Sequence, residues 1–78
     1  MDYYIRPEQR TYMRLVTSLR QDIDKGVLVP GSAMPSITRL CKIYECSRRP
    51  AGRAMQILES EGVIYRVPGL GYFVAAPL

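Results

Sequence analysis

Histidine is absent from this 78-residue chain, and cysteine occurs only twice, at Cys41 and Cys46. Two thiols without histidine leave a zinc site short of ligands. No serine or cysteine has a plausible base to activate it, and no Gly-rich phosphate loop precedes a helix. The chain therefore reads as a non-enzyme that needs no cofactor and no metal. A disulfide between residues five apart across a helix end is geometrically awkward. Both cysteines read as small buried hydrophobes in a reducing, cytoplasmic setting. Long apolar runs are also absent. None approaches the ~20 residues that span a bilayer, and no signal-peptide pattern opens the chain. Acid is in short supply too: seven acidic residues face eleven basic ones, a net charge of +4 with pI near 9.4. That balance favours an acidic polymer as partner and no membrane.

What is present is an ordinary globular composition, 47% apolar and 23% charged. A chain this short makes one domain with a marginal core, so every apolar stripe must be used. The organising stretch is Met34 to Leu58. Ile37, Leu40, Cys41 and Tyr44 share one helical face, and Ala51, Ala54, Met55 and Leu58 repeat the spacing. Glu45-Cys46-Ser47 lies between them. Ser36 and Ser47 are helix-start residues. Helix, short turn, helix is the unit that places a second helix in a DNA groove.

The outward face supports that reading. With the second apolar stripe set at 0°, Arg49, Arg53 and Gln56 fall at roughly 140° to 200° and Arg48 near 60°, taking ~100° per residue. Arg39 and Lys42 point outward from the preceding helix. Between Ser36 and Gln56 stand five basic residues and one acid, Glu45. Such a face attracts a phosphate backbone. A plain solvated basic face is the alternative.

The flanks complete the pattern. Tyr3, Tyr4 and Ile5 lie in a tail covering residues 1–6, and Pro7 suits a helix start. Tyr12, Leu15, Val16, Leu19 and Ile23 form an amphipathic stripe that Gly26 ends. Pro30-Gly31 marks a turn, and Met34-Pro35 is a minimal extended strand. The third helix runs from about 47 to 61 and Gly62 stops it. Residues 63–67 and 72–75 are β-rich, joined by the four-residue loop Pro68-Gly69-Leu70-Gly71. Residues 76–78 read as a tail or the start of a linker. The order helix, minimal strand, helix, helix, strand, strand predicts a mainly α domain with a small β-hairpin, a winged helix-turn-helix. Arg66, Gly69, Leu70 and Gly71 are the wing's candidate contacts.

The chain resembles the DNA-binding domain of the GntR family of bacterial transcription regulators over about Tyr12 to Val74. The carrying residues are Tyr12, Leu19, Ile23, Gly26, Pro30-Gly31-Ser32, Pro35-Ser36, Leu40, Tyr44, Ser47-Arg48, Ala54, Leu58, Glu61-Gly62 and Gly69-x-Gly71-x-Phe73-Val74. The resemblance implies that Ser47 caps a recognition helix, that Arg48 contacts DNA in the major groove, and that the wing near Gly69 and Gly71 approaches the minor groove. It implies a regulator, most simply a repressor, acting on double-stranded DNA in the bacterial cytoplasm and nucleoid. One helix and one wing read half of a two-fold site, so a palindromic operator is expected to take two copies, a homodimer formed on the DNA. Tyr3, Tyr4, Ile43, Ile57 and Leu70 remain as candidate exposed contacts between copies but form no single stripe, so the free chain is expected to be mainly monomeric.

The sequence departs from the family pattern in places. The family's Glu-Arg-Glu after Pro-Ser is Ile37-Thr38-Arg39 here, so the usual arginine becomes Thr38. Arg49-Pro50-Ala51-Gly52 replaces the family's Thr pair, β-branched residue and Arg, with Arg53 next. Pro50 removes one N–H from the helix start and makes Arg49 reluctant to be helical, so an irregular first turn is expected. These departures rewrite the base-reading surface and keep open the alternative of a winged helix used for protein–protein contact. Family members carry a second, ligand-sensing and dimerising domain. The chain is accordingly either an excised domain or a short regulator without a sensor.

Overall fold

The computed structural model describes residues 7–76. The expectations for Tyr3, Tyr4, Ile5, Pro77 and Leu78 lie outside the described residues. Three helices come first: α1 (Pro7–Asp24), α2 (Ile37–Tyr44) and α3 (Arg48–Ser60). Two antiparallel strands follow, β1 (Ile64–Val67) and β2 (Gly71–Val74), paired Ile64 to Val74 and Val67 to Gly71. Among the described residues no helix is long and apolar enough to cross a membrane.

The apolar stripes meet in one core. Leu15, Val16 and Leu19 come from α1, Leu40 from α2, and Ala51, Ala54, Met55 and Leu58 from α3. Met34, Ile64 and Val74 close it from below the hairpin. α3 is the hub, packing on α1, α2 and β1. Its alanines at 51 and 54 are fully buried. Small side chains let neighbouring elements approach closely, which suits a short chain with few large apolar residues.

The helix ends follow from local chemistry. At the end of α1, the Gly26 N–H donates to the Ile23 carbonyl and the Val27 N–H to the Asp22 carbonyl. Gly26 sits at φ 80°. This is the left-handed glycine cap that satisfies the last carbonyls. Gly62 repeats the device after α3, donating to Glu59, while Val63 donates to Leu58. The turn between α2 and α3 is different. There Glu45 takes the left-handed conformation, at φ 51° and ψ 53°. An L-residue pays roughly 1–2 kcal/mol for that geometry.

Polar links fasten α1 to the rest. Ser18 Oγ and Tyr44 Oη share a hydrogen bond of 2.8 Å between α1 and α2. Arg20 grips Glu61 bidentately, with Nη2 at 2.6 Å from both carboxylate oxygens. That pair ties the middle of α1 to the cap of α3.

Three expectations need correction. The minimal strand is not Met34-Pro35 but a single antiparallel bridge from Ala33 to Phe73. The Met34 N–H still donates to the Tyr72 carbonyl. Pro35 has no N–H and ends the pairing there. The hairpin loop holds three residues rather than four, because Gly71 already belongs to β2. In it the Leu70 N–H donates to the Val67 carbonyl, with Pro68 second and Gly69 third at φ 82°. That is a type II turn, which needs a positive φ at its third position. Finally, the first turn of α3 is regular: Arg48, Arg49 and Pro50 are all helical. Pro50 occupies the third position of the helix, where its missing N–H breaks no helical bond.

Candidate nucleic-acid interface

Ser36 caps α2. Its Oγ accepts from the Arg39 N–H at 3.1 Å, fixing the helix start and projecting Arg39 and Lys42 into solvent. Ser36, Thr38, Arg39, Lys42 and Ile43 line an open concavity of about 460 Å³. No acid lines it.

Ser47 stands at the cap position of α3 with extended backbone, yet its side chain makes no cap hydrogen bond. This corrects the expectation that it caps the helix through its hydroxyl. Capping hydroxyls accept from the N–H two or three residues on. Three residues on is Pro50, which has none, so one of the two possible donors is missing. The Ser47 hydroxyl is exposed beside the arginines instead.

Two of the arginines of α3, Arg48 and Arg53, are held by other helices. Arg48 donates through Nη1 to Thr38 Oγ1 on α2 at 3.1 Å. Arg53 lies over the Tyr12 ring of α1, 5.9 Å from its centre. That is within cation–π range. Arg49 is exposed between them. With Gln9, Tyr12, Pro50, Gly52 and Gln56, the three arginines line a second concavity of about 510 Å³. It too contains no acid. Three guanidiniums in one open concavity present donors of the kind suited to phosphate and to base edges.

Gly52 lines the same concavity. A Cβ there would meet only Ile37 Cδ1, at 3.7 Å, which is ordinary contact. Glycine in a helix interior costs about 0.5–1 kcal/mol relative to alanine. Gly52→Ala should therefore stabilise the domain by about that much, seen as a raised urea midpoint with an unchanged slope. A lowered midpoint would mean that the α2–α3 packing cannot take a methyl group.

On the hairpin, Arg66 is exposed on β1 and Leu70 is 75% exposed at the tip. Gly69 and Gly71 have φ of 82° and 109°. The wing residues line neither concavity. Tyr65 and Phe73 stack across the strands, with ring centres 5.9 Å apart. Of the candidate contacts between copies, Ile43 is 56% exposed and Leu70 lies open, while Ile57 is partly buried in the core.

Sequence reasoning missed Thr38, Tyr12 and Gln9. Thr38 reads as the loss of a family arginine and Tyr12 as a core residue. Both act across elements, which periodicity within one helix does not reveal. The cysteines are free. Both are half-buried rather than fully buried, and burial, then the nearby Cys41, push the Cys46 thiol above its ordinary pKa, away from the thiolate. Among the described residues no group of three ligands could hold a metal.

Comparison with known proteins fits this geometry. A profile described as "Bacterial regulatory proteins, gntR family" matches residues 11–74. The chain is 36% identical over 66 residues to the uncharacterized HTH-type transcriptional regulator YurK of Bacillus subtilis. It is 35% identical over 66 residues to the histidine utilization repressor of Pseudomonas putida. In both cases 85% of this chain covers 27% of the relative, so it spans about a quarter of their length. Among solved structures, AraR(DBD) in complex with operator ORR3 superposes with TM-score 0.80 at 27% identity. That match covers 96% of this chain and 87% of the other. With the profile spanning most of the chain and the winged helix-turn-helix in place, the chain belongs to the gntR family of bacterial regulatory proteins.

Proposed function

We propose that this chain is a sequence-specific DNA-binding module that serves a cytoplasmic transcriptional repressor. In this reading α3 enters the major groove, α2 rides on the phosphate backbone and the wing reaches the minor groove. The observation that carries the proposal is the acid-free concavity with Arg48, Arg49 and Arg53 at the start of α3. Support comes from the likeness to AraR(DBD), which was solved with its operator, and from relatives named as repressors. Two copies on a palindrome, each covering a half-site, suit a single recognition helix per chain.

A salt titration tests the proposal. Affinity for duplex DNA should fall log-linearly with salt, with a slope of about 0.9 per phosphate neutralised. Arg39→Ala and Lys42→Ala should each lower that slope by about one while weakening all sequences alike. Binding that ignores salt, or no binding to any duplex, would remove the proposal and leave a protein-contact role for the same face.

A further inference from the structure

Arg48 and Arg53 sit on the same helix but are anchored to opposite neighbours. Arg48 is turned toward α2 by Thr38, and Arg53 is turned toward α1 by Tyr12. Five residues of helix separate them by roughly 7.5 Å along the axis and ~140° around it. At ~3.4 Å per base step, two arginines so splayed address positions about two steps apart, not one shared base.

We propose that Thr38 and Tyr12, neither of them on the recognition helix, are specificity-determining positioning residues that fix which base steps Arg48 and Arg53 read. This rests on the DNA-binding reading above. An arginine has five N–H donors, and the bond to Thr38 uses one of them. The guanidinium keeps enough donors for a two-pronged contact to guanine O6 and N7. Because the fork is planar, holding one corner narrows the directions in which the other prongs can point. An unanchored arginine on a flexible stem would sample neighbouring bases and phosphates. The Tyr12 ring does the same for Arg53 through its π face, where a hydroxyl is not needed. Thr38 is exposed, so its replacement leaves the core untouched.

The test is selection of bound duplexes from a random pool, run with the unaltered chain, Thr38→Val and Thr38→Ser, beside a salt titration on mixed DNA. Thr38→Val keeps the shape and removes the acceptor. Its base preference should flatten about tenfold at one step per half-site, within the range that a two-pronged arginine contact supplies. Preference elsewhere, affinity for mixed DNA and the salt slope should stay unchanged, and Thr38→Ser should restore the lost preference. In the same assay Tyr12→Leu should flatten a different step, and Tyr12→Phe should not. A Thr38→Val profile identical to that of the unaltered chain would overturn the inference. So would an equal loss on every sequence, which is the mark of a phosphate contact or a packing defect. If the unaltered chain itself selects no sequence, it is the DNA-reading proposal that fails, and that arm shows it separately.

Discussion

Replacing Arg48 and Arg49 together by alanine should destroy specific DNA binding while leaving the domain folded. Each side chain stands exposed in the first turn of α3. Each single change should cost about 1–3 kcal/mol of specific affinity, the range for an arginine reading a base edge. If the two act independently, the pair should lose roughly 30-fold to more than 10⁴-fold. Folding should barely change. Arg48 surrenders one exposed hydrogen bond to Thr38, and exposed polar contacts contribute roughly 0–1 kcal/mol. Lysine in place of Arg48 should not rescue, because an ammonium cannot make the planar two-pronged contact. Fluorescence anisotropy on a selected site, beside a urea melt followed by circular dichroism, separates the two effects. If the double variant keeps the parent's affinity with an unchanged melt, α3 is not the recognition helix.

The sequence carries the fold most plainly where one element's own chemistry decides it. The repeat of Tyr12, Leu15, Val16, Leu19 and Ile23 sets the buried side of α1, and all five are buried or packed against the core. Gly26 and Gly62 mark helix ends because a left-handed cap disfavours a side chain. Two errors came from weighing one residue without its neighbours. Ser47 suits a cap by type, but it makes no cap hydrogen bond, and Pro50 three positions on removes one of the two N–H groups it could bind. Pro50 threatens the helix by type, yet at the third helical position it has no bond to break. Met34-Pro35 has an extended backbone preference, but pairing needs a facing partner, and the register with β2 selects Ala33. The two contacts that aim the arginines were not legible at all. Thr38 and Arg48 are ten residues apart, and Tyr12 and Arg53 are forty-one apart. Only the packing of α1 and α2 against α3 brings each pair together.

The core should fail in the opposite way from the interface, and Leu58→Ala is the sharpest case. Leu58 is fully buried on α3, the helix that α1, α2 and β1 all pack against. Its carbonyl also accepts the Val63 N–H that turns the chain into the hairpin. Truncating a buried leucine to alanine costs about 2–5 kcal/mol, through lost burial and the cavity left behind. A chain of this length holds roughly 4–12 kcal/mol in total. The change should therefore remove a large share of the domain's stability, with the urea midpoint at room temperature sharply lowered and the slope unchanged. Duplex DNA should then act as a folding ligand. At a hundredfold excess over the dissociation constant it adds about 2.7 kcal/mol to the folded state. Enough DNA should restore helical signal to Leu58→Ala, because the arginines and their anchors Thr38 and Tyr12 are all still present. The Arg48 and Arg49 double variant should show the reverse: full helical signal without DNA, and at most a small part of the extra stability with it. Urea melts of both variants, with and without a selected duplex, make the comparison. A Leu58→Ala chain as stable as the parent would place the weight of the core elsewhere, on the α1 stripe or beneath the hairpin.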